Sequence, residues 1–67
     1  MSIAQKPWHW TSDVLPDDED AVWIRPVNTS AKPAEATCSY ANQAFAVQVG
    51  SQTLFYPWVI VPQWRAQ

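Results

Sequence analysis

Hydrophobic and polar positions alternate with period two along several short stretches of this chain. No window carries a sustained i, i+3, i+4, i+7 apolar stripe, so the pattern predicts strands and not helices. Residues 21–27 form the first predicted strand, with Val22 and Ile24 on one face and Trp23 and Arg25 on the other. Pro26 has no N–H to give to a ladder, which predicts that this strand ends at a sheet edge. A polar loop over residues 28–32 leads to a strand of small residues at 34–40, where Ala36, Cys38 and Tyr40 alternate with Thr37 and Ser39. Residues 41–43 read as a turn, with Asn42 the residue that tolerates positive φ. Phe45, Val47 and Val49 then mark one face of a strand at 44–49. Gly50-Ser51 suits a two-residue hairpin loop with the single glycine at its first central position. Strands at 53–56 and, after Pro57, at 58–61 complete a meander, and residues 62–67 read as a tail.

Proline reinforces this reading. Six prolines divide the chain, and each biases the residue before it toward extended geometry. Upstream of the meander, residues 1–7 read as a flexible leader and residues 8–67 as one domain. Residues 8–15 read as an irregular aromatic segment in which Thr11, Ser12 and Asp13 nucleate a single turn by capping backbone N–H groups. Residues 16–20 read as an acidic loop. The predicted fold is all-β: a small, strongly curved antiparallel sheet or open barrel of four to five short strands, with at most one helical turn near the N-terminus. A flat sheet of this size would leave one apolar face wet.

Composition adds what the pattern does not. Five tryptophans, two tyrosines and two phenylalanines occur in 67 residues. Each ring carries roughly 150–250 Å² of buriable surface, and a domain of about 60 residues buries only about 60% of its unfolded surface. Some rings are therefore expected to face a partner. Small scaffolds are otherwise held by disulfides, metals or oligomerisation. One cysteine forms no internal disulfide, and one cysteine with one histidine does not make a structural zinc site. Dense packing, homo-oligomerisation or a protein partner remains, and no cofactor is implied.

Charge and hydropathy narrow the partner. Four basic residues oppose six acidic ones, a net charge of −2. The basic face of a nucleic-acid binder is missing, which ranks a single-stranded nucleic-acid module third, even though aromatic platforms on small barrels stack bases. No apolar run of ~18 residues spans a membrane. The opening residues lack the apolar stretch of a signal peptide and the lone cysteine fits a reducing compartment, so a cytoplasmic protein is expected.

The order Trp8, Leu15-Pro16, the acidic turn Asp17 to Asp20, and the strand residues Val22-Trp23-Ile24, closing on Trp58 and Pro62 after Tyr40 and Phe45, resembles a family of short uncharacterised domains common in bacteriophage and prophage genomes. The chain departs from that pattern at Glu19-Asp20, where the family often has glycine, and in the added Trp64-Arg65. The family has no established activity, so the resemblance implies a phage or prophage origin and not a mechanism.

Individual residues were weighed against this background. Asp17, Asp18, Glu19 and Asp20 lack the D-x-D-x-D-G spacing of a calcium loop; they read as a solvated turn or as an acidic patch that docks on a basic surface. His9, near Ser12 and Asp13, reads as a histidine packed on tryptophan, because consecutive loop residues do not set up a triad. Cys38 has no basic neighbour to activate it and reads as a packed residue. Trp23 and Trp58 read as core. Trp10 and Trp64 are flanked by polar residues and are candidates for exposure. Trp64 with Arg65 resembles an interface anchor, with a plug over the barrel mouth as the equal alternative. No catalytic residue is assigned. The expected function is a phage-encoded, non-enzymatic protein that binds and modulates a host protein through Trp10, Trp64, Arg65 and the acidic loop. The alternative is a virion component such as a cement or decoration subunit.

Overall fold

A computed structural model describes residues 6–67; of the leader expected over residues 1–7, residues 1–5 lie outside the described residues. The strands are β1 (His9–Trp10), β2 (Ala21–Arg25), β3 (Ala34–Ser39), β4 (Ala44–Val49), β5 (Gln52–Pro57) and β6 (Gln63–Ala66). They form one open antiparallel sheet in the order β1-β6-β2-β3-β4-β5. The all-β prediction holds, with six strands in place of four or five.

The added strands come from the chain ends. The expected tail contains β6, which lies between β1 and β2. Residues 58–61, expected as a strand, instead make a 3-10 turn over Trp58–Ile60 that brings the chain from the β5 edge back across the sheet. Pro57 precedes this turn in extended geometry (φ −55°, ψ 143°), as proline allows. Pro26 lies just beyond β2, an interior strand, so its missing N–H interrupts no ladder and marks no edge. In the β3–β4 turn the residue at positive φ is Gln43 (φ 49°) and not Asn42. Asn42 instead donates through Nδ2 to Ser39 Oγ at 2.8 Å. Gly50 takes the expected positive φ, 62°.

Register decides which side chains share a face. Val22 stands opposite Ala36, Ile24 opposite Trp64 and Cys38 opposite Phe45, so all six project to the same side. With Val61 they form the buried core, and Ala34, Val47, Tyr56 and Trp58 pack against it. A single sheet leaves this face open to water unless something covers it. The cover is residues 11–20 together with the 3-10 turn. Trp64 Nε1 donates to Val14 O at 2.8 Å and Tyr40 Oη donates to Pro16 O at 2.7 Å. These bonds pin the segment by its own carbonyls. Within it, the turn expected at Thr11–Asp13 forms through bonds from the N–H of Asp13 and Val14 to Trp10 O.

Trp64 is therefore a core residue. It is 7% exposed, because its alternation in β6 points it at Ile24, and its polar neighbours Gln63 and Arg65 face the other way. Replacing Trp64 with Ala is predicted to cost about 3–5 kcal/mol, comparable to the whole stability of a domain this small. Urea unfolding followed by circular dichroism should show the transition lost or moved far to lower urea; an unchanged midpoint would contradict the placement.

Candidate functional site

The sheet and its cover leave a groove of about 420 Å³ between the β1 end and the 3-10 turn. Trp10, Thr11, Ser12 and Leu15 line it on one side, and Trp58, Val59, Val61 and Pro62 on the other. Its position follows from the topology. The chain enters β6 through Pro62, whose carbonyl accepts from Thr11 N–H at 2.9 Å, so the turn after β1 and the turn before β6 lie side by side. Two rim side chains are unusually bare for apolar residues: Trp10 is 51% exposed and Val59 is 93% exposed. Thr11 and Trp58, which line this groove, each carry a buried polar atom, Thr11 Oγ1 and Trp58 Nε1, with no hydrogen-bond partner among the described residues. An unmade bond of this kind costs about 1–3 kcal/mol. An apolar groove of this size edged by a few polar groups suits an apolar side chain or small ligand.

The expected partner-binding residues are not brought together. Trp10 lines the groove, whereas Trp64 is buried beneath the sheet. Arg65 lies on the opposite face, where its guanidinium and that of Arg25 lie over the Trp8 ring at 5.1 and 4.2 Å from its centroid. Arg25 also donates to Gln63 Oε1 and Thr29 O, each at 3.0 Å. Trp23 stands opposite Arg65 and Glu35 on this outer face, half-buried, and not in the core where it was expected. Trp58 is half-buried against the core, with its ring edge-to-face on Tyr40 at 5.4 Å.

The acidic loop is stitched to β3. Glu19 N–H donates to Cys38 O and Cys38 N–H to Asp20 O, at 2.8 and 2.9 Å. Asp18 Oδ1 accepts from Tyr40 N–H at 2.9 Å, a charge-assisted bond that spends one carboxylate on structure. Glu19 takes φ 67°, a region costly for a residue with a Cβ. Asp17, Glu19 and Asp20 project into solvent. Among the described residues no three carboxylate, His or Cys side chains are grouped to hold a metal. His9 packs on tryptophan, its ring 4.8 Å from that of Trp64.

Leu15, Thr11, Val59 and Pro62 were missed as site residues. The signal for Val59 was present: an apolar Val-Ile pair between Pro57 and Pro62 is too short and too bracketed for a paired strand. Trp58 reads from the sequence as core, and Pro62 only as part of a closing motif.

No family model, no curated protein and no solved structure matches this chain.

Cys38 is fully buried beneath the acidic loop, its Sγ 3.8 Å from Pro16 O. Desolvation, and then the charges of Asp18, Asp20 and Asp17, push the thiol from an ordinary 9.0 to about 11. The Tyr40 phenol is raised as well, by desolvation and then by Cys38 and the same aspartates. A thiol raised on folding stabilises the fold fully below its unfolded value; that contribution is lost as pH rises through the folded value. Thermal stability is therefore predicted to fall between pH 9 and about 11, and Cys38→Ala to flatten part of that slope. Melting curves across this range check it; an identical slope in the variant would contradict it.

Proposed function

We propose that this protein works by binding another protein, without catalysis, and that the groove between Trp10 and Val59 receives an apolar side chain of the partner. The observation that carries this reading is the pairing of two bare apolar rim residues, Trp10 and Val59, across one groove lined by Leu15, Val61 and Pro62. A partner offering a bulky apolar side chain supplies the burial that these rim residues lack. Trp10 is the anchor, since exposed tryptophans dominate binding energetics. Arg65 and the acidic loop take no part in the groove. In the phage setting suggested by the motif order, the partner is a host protein whose activity this binding modulates, in the host cytoplasm. A second reading, as a subunit of a virion, is favoured by the bare outer edge of β5, which a neighbouring subunit would cover.

Trp10→Ala is predicted to weaken partner binding by ~2 kcal/mol or more, about 30-fold, with the fold retained. Val59→Asp is predicted to act in the same direction, and Arg65→Ala to leave binding unchanged. Capture of a stoichiometric protein by the tagged wild-type chain, followed by titration of each variant, tests this. Equal binding by wild type and Trp10→Ala would refute the groove as the site.

A further inference from the structure

The two edges of the sheet are built differently. β1 is two residues long, and its outer side is closed on itself, because Trp10 O accepts from Asp13 and Val14 N–H. β5 is six residues long. Native edge strands are usually blunted by charge, proline, a bulge or covering chain, and among the described residues β5 has only Pro57, at its last position. No Asp, Glu, Lys or Arg occurs from Ala36 to Trp64. The β4–β5 register runs unbroken from Ala44↔Pro57 to Val49↔Gln52.

Register also shows which backbone groups point outward. Val49 and Gln52 flank a two-residue loop, so they exchange hydrogen bonds, and alternation makes Val47–Leu54 and Phe45–Tyr56 bonded pairs too. Thr53, Phe55 and Pro57 therefore turn their backbone groups away from the sheet. Proline sits where its missing N–H costs no ladder bond. Thr53 and Phe55 each leave an N–H and a C=O unpaired among the described residues, with Phe55 50% exposed.

We infer that β5 pairs antiparallel with β5 of a second copy of this chain, joining two six-stranded sheets into one. The occupant follows from symmetry and charge. An antiparallel strand pair is itself two-fold symmetric, so a single edge is complementary to its own copy. A two-fold contact sets every side chain near the axis against its own copy, and only an uncharged edge does this without repulsion. The charged residues of the chain all lie outside the segment that would meet. The register with Thr53 opposite Phe55 of the second copy satisfies all four outward N–H and C=O groups of Thr53 and Phe55 on each strand. It puts Leu54, 40% exposed, on the axis facing its own copy across a non-bonded pair. Small domains that bury too little surface alone are stabilised by such association.

Sedimentation equilibrium from about 10 μM to about 1 mM, a range that covers weak association, tests the pairing. The wild type is expected to approach twice 7.6 kDa with rising concentration. Leu54→Lys sets two ammonium groups across the axis, and Thr53→Lys charges an exposed position beside it; both are expected to stay at monomer mass with unchanged circular dichroism. Leu54→Cys is expected to cross-link between copies on oxidation, since non-bonded cross-strand Cα atoms approach to about 4.5 Å, whereas Thr53→Cys is not. The buried Cys38 does not compete. A wild type that remains monomeric throughout overturns the proposal. So does a dimer that both lysine variants leave intact, or Leu54→Cys cross-linking no faster than Thr53→Cys.

Discussion

The fold depends on the bond between the Trp64 indole and the carbonyl of Val14. A single six-stranded sheet has one apolar face and no second layer of regular structure to cover it. The chain solves this with residues 11–20, a segment that gains no ladder of its own over most of its length. What holds it down is side-chain donation from the sheet: Trp64 to Val14 and Tyr40 to Pro16. Each bond satisfies a backbone acceptor in a part-buried setting. Each donor also brings a large ring that fills the space beneath the segment. The rim of the groove is a by-product, since the turn after β1 is fixed where the segment begins.

The same topology separates the molecule's chemistry by region. The core face carries Phe45, Ile24 and Trp64, and the outer face carries Trp8 beneath two guanidinium groups. Four of the six acidic residues gather at the end of the covering segment next to β2, and Asp17, Asp18 and Asp20 are close enough to oppose ionisation of Cys38. The β4–β5 half has no charge at all. A chain of −2 net charge thus presents a charged part and an uncharged β4–β5 edge, and the groove lies away from that edge, between residues 10–15 and the uncharged residues 58–62. The groove proposed to bind a partner and the β5 edge proposed to self-pair are separate parts of the molecule.

Much of the sheet was legible because period-two alternation is a local signal. β4 was read at its observed bounds, and β2 and β3 within two residues, since each carries its core residues at alternate positions. β6 was not legible. Gln63 to Ala66 alternate over only four residues, too few to separate a strand from a tail, and their burial depends on β1 and β2 from the far end of the chain. Trp64 reads equally as an exposed anchor or a plug over the barrel mouth for the same reason: its neighbours in sequence are polar, but in a strand neighbours face the opposite side. Trp10 was read correctly as exposed. The groove itself was invisible, because it forms where residues 10–15 meet residues 58–62, and no local pattern reports that meeting.

Exchange of the indole N–H protons with solvent deuterium, resolved by NMR for each tryptophan, tests the tie between sheet and covering segment directly. If the Trp64 indole holds the segment closed, its N–H exchanges as slowly as the amides of β2 and β3, while that of the exposed Trp10 exchanges freely. A Trp64 indole that exchanges as fast as Trp10 would mean that the segment does not cover the core face, and the groove it shapes would go with it.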